Sequence, residues 1–132
     1  MKTFQGRTAV ITGAGSGFGL ELSRLAAAAG MKLVMADVQQ DALDRAVAEI
    51  RGLGGEVMGF RLDVAKAAEV EAMGEATRAR FGAPHLVFNN AGVGAGGLIW
   101  EHSLKDWEWV GGVNLMGMAH GVRVFTPMML EV

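Results

Sequence analysis

The chain has 132 residues, of which 51% are hydrophobic and 20% are charged, and this composition excludes an intrinsically disordered chain. Twelve basic against fourteen acidic residues give a net charge of -2, which argues against a nucleic-acid-binding surface. The chain has no cysteine, which excludes disulfides, thiolate zinc sites and a cysteine nucleophile, and fits a reducing compartment such as the cytoplasm. No targeting or bilayer-spanning stretch is apparent, so we expect no membrane partner.

Short apolar runs alternate along the chain with longer stretches of helical periodicity. Strands are predicted at residues 8–12, 32–36, 56–62 and 85–88, and helices at 18–29, 41–51, 66–81 and from 103 onward. This alternation is typical of parallel strands joined by right-handed crossovers. We therefore expect an α/β fold: a Rossmann-like doubly wound parallel sheet of spatial order 3-2-1-4, as one domain over residues 1–132. Ligands of such sheets bind where the strand order reverses, here between strands 1 and 4.

A glycine-rich segment joins the first strand to the first helix. Its candidate binding residues are Gly13, Gly15, Ser16, Gly17, Phe18 and Gly19. A diphosphate approaches backbone N–H groups closely only where side chains are absent, and a helix N-terminus supplies unpaired donors. The context therefore predicts a dinucleotide-binding loop, with Gly13 in the tight turn, Gly17 at the close approach and Gly19 where helix packs on strand. A flexible glycine loop is the alternative; a P-loop is disfavoured because no Gly-Lys-Ser/Thr follows.

Asp37 ends the second predicted strand, about two dozen residues after the glycine motif begins. A carboxylate there can accept hydrogen bonds from both ribose hydroxyls of an adenosine, and it would repel a 2′-phosphate. Ser16 and Val38 supply no cation for such a phosphate. The pattern therefore predicts NAD in preference to NADP, with a helix or turn cap as the alternative role for Asp37.

Polar residues also follow the third and fourth predicted strands. Asp63 can accept a hydrogen bond from an adenine amino group while Val64 packs beside the ring, although a turn-forming Asp explains the spacing equally well. The fourth strand is followed by Asn89, Asn90, Ala91 and Gly92. The side-chain amides of the two Asn residues lie at the predicted reversal point and can reach a cofactor ribose. An ordinary turn is the alternative for this Asn-Asn-Ala-Gly segment.

Taken together, these motifs resemble those of the short-chain dehydrogenase/reductase family, in the family's order, from Thr8 to about Gly117. They are Thr12–Gly19, Asp37, Asp63-Val64, Asn89–Gly92, and Asn114 within Val-Asn-Leu-Met-Gly. Phe18 is a mild variation on the usual apolar residue between the last two motif glycines. The resemblance implies an NAD(P)-dependent oxidoreductase that transfers a hydride between nicotinamide and a small alcohol or carbonyl substrate.

The resemblance also implies roles for individual residues. Asp37 would bind the adenosine ribose, Asp63 and Val64 the adenine, and residues 90–92 the sugar region of the nucleotide. Asn114 resembles the family's active-site Asn, a catalytic residue that kinks its helix and holds a water in a proton relay.

Members of this family carry a catalytic Ser and a Tyr-x-x-x-Lys pair later in the chain. This sequence has no tyrosine, and its last lysine is Lys105. We therefore expect the N-terminal part of such an enzyme, ending after the fourth strand and its following helix, and inactive on its own. The fourth strand would then be an exposed edge, which favours pairing with another chain. A homo-oligomer is expected.

Three other functions remain open from the sequence. The chain can be a non-catalytic NAD-binding module, or an assembly subunit that needs a partner chain to complete its sheet. A methyltransferase on a similar sheet is disfavoured by the Asn-Asn-Ala-Gly segment and by Asn114.

Several other residues have simpler interpretations. Because His85, His102 and His120 are scattered along the chain, we expect them to be exposed to solvent or to cap secondary structure, and we expect no metal site. Ser103 predicts a helix cap. We expect Trp100, Trp107 and Trp109 to pack a helix start against the body, with a substrate-lining role as the alternative for Trp100. By resemblance, the subunit-interface candidates on the last helix are Met116, Met118, Met128 and Met129.

Overall fold

A computed structural model describes every residue from Met1 to Val132. Its four strands are β1 (Thr8–Thr12), β2 (Lys32–Asp37), β3 (Val57–Arg61) and β4 (Leu86–Phe88). Its five α-helices are α1 (Gly17–Ala28), α2 (Gln40–Gly52), α3 (Ala67–Phe81), α4 (Leu104–Gly111) and α5 (Gly117–Met129). The predicted alternation is confirmed, and each of the first seven elements begins and ends within one residue of its predicted boundary.

The four strands form one parallel sheet in the order β3-β2-β1-β4. Val10 at the centre of β1 pairs with Val34 of β2 on one side and with Val87 of β4 on the other. All five residues of β1 are buried, as expected of a strand covered on both faces. The predicted doubly wound sheet is thus confirmed, with its reversal point between β1 and β4.

Alternate residues of the strands contribute to two separate hydrophobic layers. One layer combines Ile11 and Leu33 with Leu43 and Ile50 of α2. The other layer combines strand valines with helical side chains of α3 and α5, among them Val10, Val34, Val70, Met73 and Phe125. Because successive strand residues point to opposite faces, this division shows that helices cover both sides of the sheet.

Two strands lie at the edges of the sheet and are less buried than β1 and β2. Residues Gly59 and Arg61 of β3 are exposed, and all three residues of β4 are only half-buried. The strand β4 pairs with β1 alone, so the predicted exposed edge at the fourth strand is confirmed.

The last helical stretch is interrupted at Asn114, where the resemblance implies a kink. A 3-10 turn at Ile99–Glu101 precedes α4, and a π turn at Gly112–Met116 joins α4 to α5. The predicted cap is confirmed: Ser103 Oγ accepts from Asp106 N at 3.1 Å, and Ser103 N donates to Asp106 Oδ2 at 3.1 Å. None of the helices has both the length and the apolar character needed to cross a lipid bilayer.

Several predictions about packing are wrong. The three tryptophans do not pack a helix start against the body: Trp100, Trp107 and Trp109 are 75%, 55% and 50% exposed, and α4 has no buried residue. Met128, an interface candidate, is instead buried in the core, and His120 is buried and not in solvent. Helical spacing shows which residues share a face, but it does not show whether another element covers that face.

His85, the residue before β4, is hydrogen-bonded twice to Thr8, the first residue of β1. Its backbone N–H donates to Thr8 O at 2.9 Å, and its Nδ1 accepts from Thr8 N at 3.2 Å. Burial, with a smaller contribution from the positive charge of Arg7, lowers the pKa of His85 below its ordinary value of 6.5. The folded chain therefore favours the neutral ring. Because the unfolded chain binds the proton more readily, this contribution to stability is complete above pH 6.5 and declines as pH falls below it.

The substitution His85→Asn is expected to remove this part of the pH dependence of stability. An Asn Oδ1 can accept the Thr8 N–H bond but does not titrate. Urea unfolding of both proteins at several points between about pH 5.5 and 7.5 tests this, because His85 would titrate there in the wild type only. Equal pH slopes in the two proteins would show that His85 makes no such contribution.

Candidate cofactor-binding cleft

A cleft of about 430 Å³ opens at the carboxyl ends of the four strands. It lies at the reversal point that the strand order predicts. Ten of the thirteen residues predicted to bind a cofactor line it: Gly13, Ser16, Phe18, Asp37, Val38, Asp63, Val64, Asn90, Ala91 and Gly92. The other three, Gly15, Gly17 and Gly19, belong to the adjoining loop and the first turn of α1. The structure therefore brings the whole predicted set to one place.

The glycine loop is shaped by very close backbone approaches. Gly13 has a φ of +65°, and a Cβ there would lie 3.0 Å from Ala91 Cα. A Cβ at Gly19 would overlap the Gly13 carbonyl oxygen. Gly17 has a φ of +54° and open space around it. Glycine is favoured there because of the positive φ and not because a side chain would clash, and its lack of a side chain leaves room above the loop. The loop therefore presents bare backbone to the cleft.

The N-terminus of α1 has no acceptor supplied by a nearby side chain. Ser16 occupies the capping position without making a side-chain hydrogen bond, and the first turn contains no acidic residue. By contrast, α2, α3 and α4 each carry a carboxylate in the first turn. The unpaired N–H groups and positive dipole end of α1 favour an anionic ligand group at this end of the cleft.

Asp37 lies at the end of β2 and faces the glycine loop. Its Oδ2 accepts a hydrogen bond from Gly15 N at 2.9 Å, and its Oδ1 accepts from Gln39 N at 3.0 Å. The turn-capping alternative is therefore realised in part. Each carboxylate oxygen can accept a further bond, and Asp37 lines the cleft, so the capping contacts leave acceptor capacity for a ligand.

The turn after β3 is held from two sides. Asp63 Oδ1 accepts from Ala65 N at 3.0 Å, which is the turn-forming role that the sequence left open. Val64 O accepts from Nδ1 of the buried His120 at 2.9 Å, and the Val64 side chain lies where a Cβ on Gly117 would be. Helix α5 thus positions this wall of the cleft through His120, a residue that sequence reasoning did not assign to the site.

Thr12 connects the ends of β1 and β4. Its Oγ1 accepts from Asn90 N and from Ala91 N, each at 3.0 Å, and donates to Phe88 O at 3.3 Å. In return, Asn90 Nδ2 donates to Thr12 O at 3.0 Å. The sequence predicts no binding role for Thr12. Its position at a strand end, directly before the glycine motif, is the feature that could have indicated this structural role.

Asn114 lies in the π turn between α4 and α5, so the structure interrupts the helix at this residue. Its amide pairs with the backbone of Val93: Oδ1 accepts from Val93 N and Nδ2 donates to Val93 O, both at 2.8 Å. The side chain therefore holds the loop after Gly92 against the helix. Trp109 and Val113, which the sequence did not assign to the cleft, line it nearby, whereas Trp100 does not.

One cation lies near Asp37 and Val38. Ser16 and Val38 carry no charge, but Arg61 at the end of β3 donates from Nε to Val38 O at 3.2 Å. Its NH1 lies 3.5 Å from Glu69 Oε1. The absence of charge at Ser16 and Val38 therefore does not describe the charge near Asp37 completely, because Arg61 brings a cation there.

The arrangement has close counterparts among known proteins. The short chain dehydrogenase family matches the chain over residues 7–132. A CLA biosynthesis dehydrogenase/reductase of Lactiplantibacillus plantarum is 37% identical over 131 residues, which cover 99% of this chain and 46% of that protein. The chain spans 43% to 46% of the length of the relatives with which it shares 37% to 40% identity.

Two solved structures are similar over nearly the whole chain. A short chain dehydrogenase/reductase from Burkholderia phymatum, in complex with NAD, has a TM-score of 0.97 and 57% identity, covering 99% of this chain and 47% of that one. L-Sorbose reductase from Gluconobacter frateurii, complexed with NADPH and L-sorbose, has a TM-score of 0.91 and 31% identity, covering 96% and 49%. Proteins of this fold thus occur with either dinucleotide.

Proposed function

The chain belongs to the short-chain dehydrogenase family, and from this premise we propose that it forms the NAD-binding part of an oxidoreductase acting on an alcohol or carbonyl substrate. The observation that carries the proposal is the single cleft that joins the bare-backbone loop, the α1 N-terminus and Asp37. These features fit the two chemically distinct ends of an adenosine diphosphate: anionic phosphates and hydroxyl donors.

The residues around the cleft would divide the cofactor between them. The glycine loop and α1 would hold the diphosphate, and Asp37 would accept from the adenosine ribose. The adenine would lie by Val38, Asp63 and Val64, with the remaining sugar at Asn90, Ala91 and Gly92. The hydrogen bonds that Thr12, Asn114 and His120 make to the cleft backbone support this arrangement, because they hold its walls in place before any ligand binds.

We propose NAD as the preferred dinucleotide. The carboxylate of Asp37 would oppose a 2′-phosphate at the same position where it accepts from a 2′-hydroxyl. The NAD complex of the similar Burkholderia phymatum protein supports this preference, while the NADPH complex of L-sorbose reductase makes it a question for measurement.

A nicotinamide dinucleotide, when bound, supplies or accepts the hydride. The chain's own residues would bind and orient the dinucleotide. Asn114, which lies in the π turn, would hold a water that takes part in proton transfer. The 132 residues contain no tyrosine to serve as the acid or base in the family's manner. We therefore propose that turnover requires groups beyond these residues, and that dehydrogenase assays on this chain alone give no activity.

The decisive test is the affinity for NADH of wild type and Asp37→Ala. Loss of hydrogen bonds to a charged acceptor is expected to weaken binding about 10- to 100-fold, measured by titration of NADH fluorescence. Asp41→Ala is the matched control, because it removes a carboxylate of the same size and charge from an exposed site four residues along the chain. Equal affinities for wild type and Asp37→Ala would contradict the proposed site.

A second function is favoured by the unpaired outer edge of β4. The half-buried residues of this strand suit a further strand beside it, and with these 132 residues alone that strand would come from a second copy of the chain. We therefore also propose assembly into a homo-oligomer, in a reducing compartment such as the cytoplasm. An oligomer that dissociates only on unfolding, measured by native mass spectrometry, would support this function, and a stable monomer would contradict it.

A further inference from the structure

Arg61 lies beside the part of the cleft proposed for the adenosine ribose. Its Cα is the register partner of Asp37 in the β2–β3 pair, so the two Cα atoms are neighbours across about 4.8 Å of sheet. Its guanidinium reaches over the strand ends, where Nε donates to Val38 O at 3.2 Å. The side chain remains 46% exposed. The Arg61 guanidinium is therefore held next to Val38, the residue that follows Asp37.

Glu69, in the first turn of α3, engages this cation and the cleft wall together. Its Oε1 lies 3.5 Å from Arg61 NH1, while its Oε2 accepts from Asp63 N at 3.0 Å. A single contact of 3.5 Å is looser than the bidentate geometry that Arg adopts with carboxylates and phosphates. Arg61 therefore keeps the capacity to exchange this partner for a better one.

We propose that the Arg61–Glu69 pair is a second determinant of dinucleotide selection: Glu69 keeps Arg61 occupied and so withholds it from a 2′-phosphate on an adenosine held at Asp37. This inference rests on the proposed function of the cleft. In the wild type both carboxylates act against a 2′-phosphate, Asp37 by direct repulsion and Glu69 by competing for the guanidinium. Without Asp37, a doubly charged phosphate would compete with Glu69 for Arg61, since Arg favours planar, bidentate oxyanion recognition.

The experiment compares binding of two probes, 5′-AMP and 2′,5′-ADP (adenosine 2′,5′-bisphosphate), which differ only in the 2′-phosphate. The affinity ratio of the probes is measured by calorimetry for wild type, Asp37→Ser, and Asp37→Ser combined with Arg61→Gln or Glu69→Gln. The Glu69→Gln change is selective, because a Gln Oε1 can still accept from Asp63 N while its amide group no longer attracts Arg61.

We expect Asp37→Ser to shift the ratio toward 2′,5′-ADP by about tenfold or more, equivalent to about 1.4 kcal/mol. Adding Glu69→Gln should increase the shift severalfold. Adding Arg61→Gln should reduce the shift severalfold and leave only the part that comes from removing the Asp37 charge. Adding Arg61→Lys, which keeps the charge, should preserve part of the contribution of Arg61. The shift should also shrink as salt rises, a response that a purely structural effect of these substitutions would not produce.

The inference is overturned if adding Arg61→Gln to Asp37→Ser leaves the affinity for 2′,5′-ADP unchanged, or if adding Glu69→Gln leaves the ratio unchanged. Either result would leave the proposed function standing, provided that wild type binds NADH and 5′-AMP. Failure of wild type to bind NADH would instead overturn the proposed function, and this inference with it. Should Arg61→Gln unfold the protein, the Glu69→Gln and Arg61→Lys arms still decide the matter.

Discussion

Replacing Gly19 by Ala is expected to lower the free energy of unfolding by about 3 kcal/mol or more, the upper range for overpacking. A Cβ at this position would overlap the Gly13 carbonyl oxygen and lie 2.7 Å from Asn90 Nδ2. A backbone carbonyl cannot rotate away as a side chain can, so α1 would have to move off the strand end. Urea denaturation measures the loss, and titration with NADH should show weakened binding, because the same movement opens the glycine loop.

Gly52→Ala provides the matched control for this substitution. Gly52 is the last residue of α2, where a Cβ meets nothing within 4 Å and φ is not positive. Alanine is the better helix former there, so stability should rise by up to about 1 kcal/mol. Similar effects at the two glycines would mean that the close approach at Gly19 does not constrain the fold.

Replacing Thr12 by Val is expected to lower the free energy of unfolding by about 2 to 3 kcal/mol, because two partly buried N–H groups lose their acceptor. Valine has nearly the same shape but no hydroxyl, so Asn90 N and Ala91 N are both left without a partner inside the protein. Each backbone N–H left unpaired costs about 1–3 kcal/mol when fully buried. Unfolding in urea measures the loss, and affinity for NADH should fall with it because residues 90 and 91 line the cleft.

Thr12→Ser tests whether the hydroxyl is responsible. Serine keeps the oxygen that accepts both N–H bonds and loses only a methyl group, so its stability should stay much nearer to wild type. If Ser and Val variants were equally destabilised, the cause would be lost packing of the methyl group and the hydrogen-bonded junction would be unimportant.

Local pattern was sufficient to predict the architecture. Apolar runs such as residues 8–12, followed by helical periodicity, define alternating elements, and the right-handed crossover rule then leaves few strand orders. The strand ends follow from the same pattern, and parallel strands bring their carboxyl ends to one edge of the sheet. The gathering of Gly13, Asp37, Asp63 and Asn90 around one cleft is therefore a consequence of chain order.

Contacts between distant segments could not be predicted in this way. The bonds of Thr12 to Asn90 join residues 78 positions apart, and the His120 contact to Val64 O spans 56 positions. Each depends on strand register and on how a helix lies across the sheet. The same is true of Arg61, whose place beside Val38 follows from the pairing of β3 with β2.

Sequence periodicity also could not predict which amphipathic segments are buried, because burial depends on how the elements pack against one another. The tryptophans of residues 100–109 have the apolar character of core residues, yet they lie exposed because no element of the chain covers α4. His120 looked like a surface residue, yet α5 packs it against the turn after β3. Sequence periodicity describes one element's own surface, whereas burial and hydrogen-bond partners are properties of two surfaces in contact, and these exist only once the elements have packed.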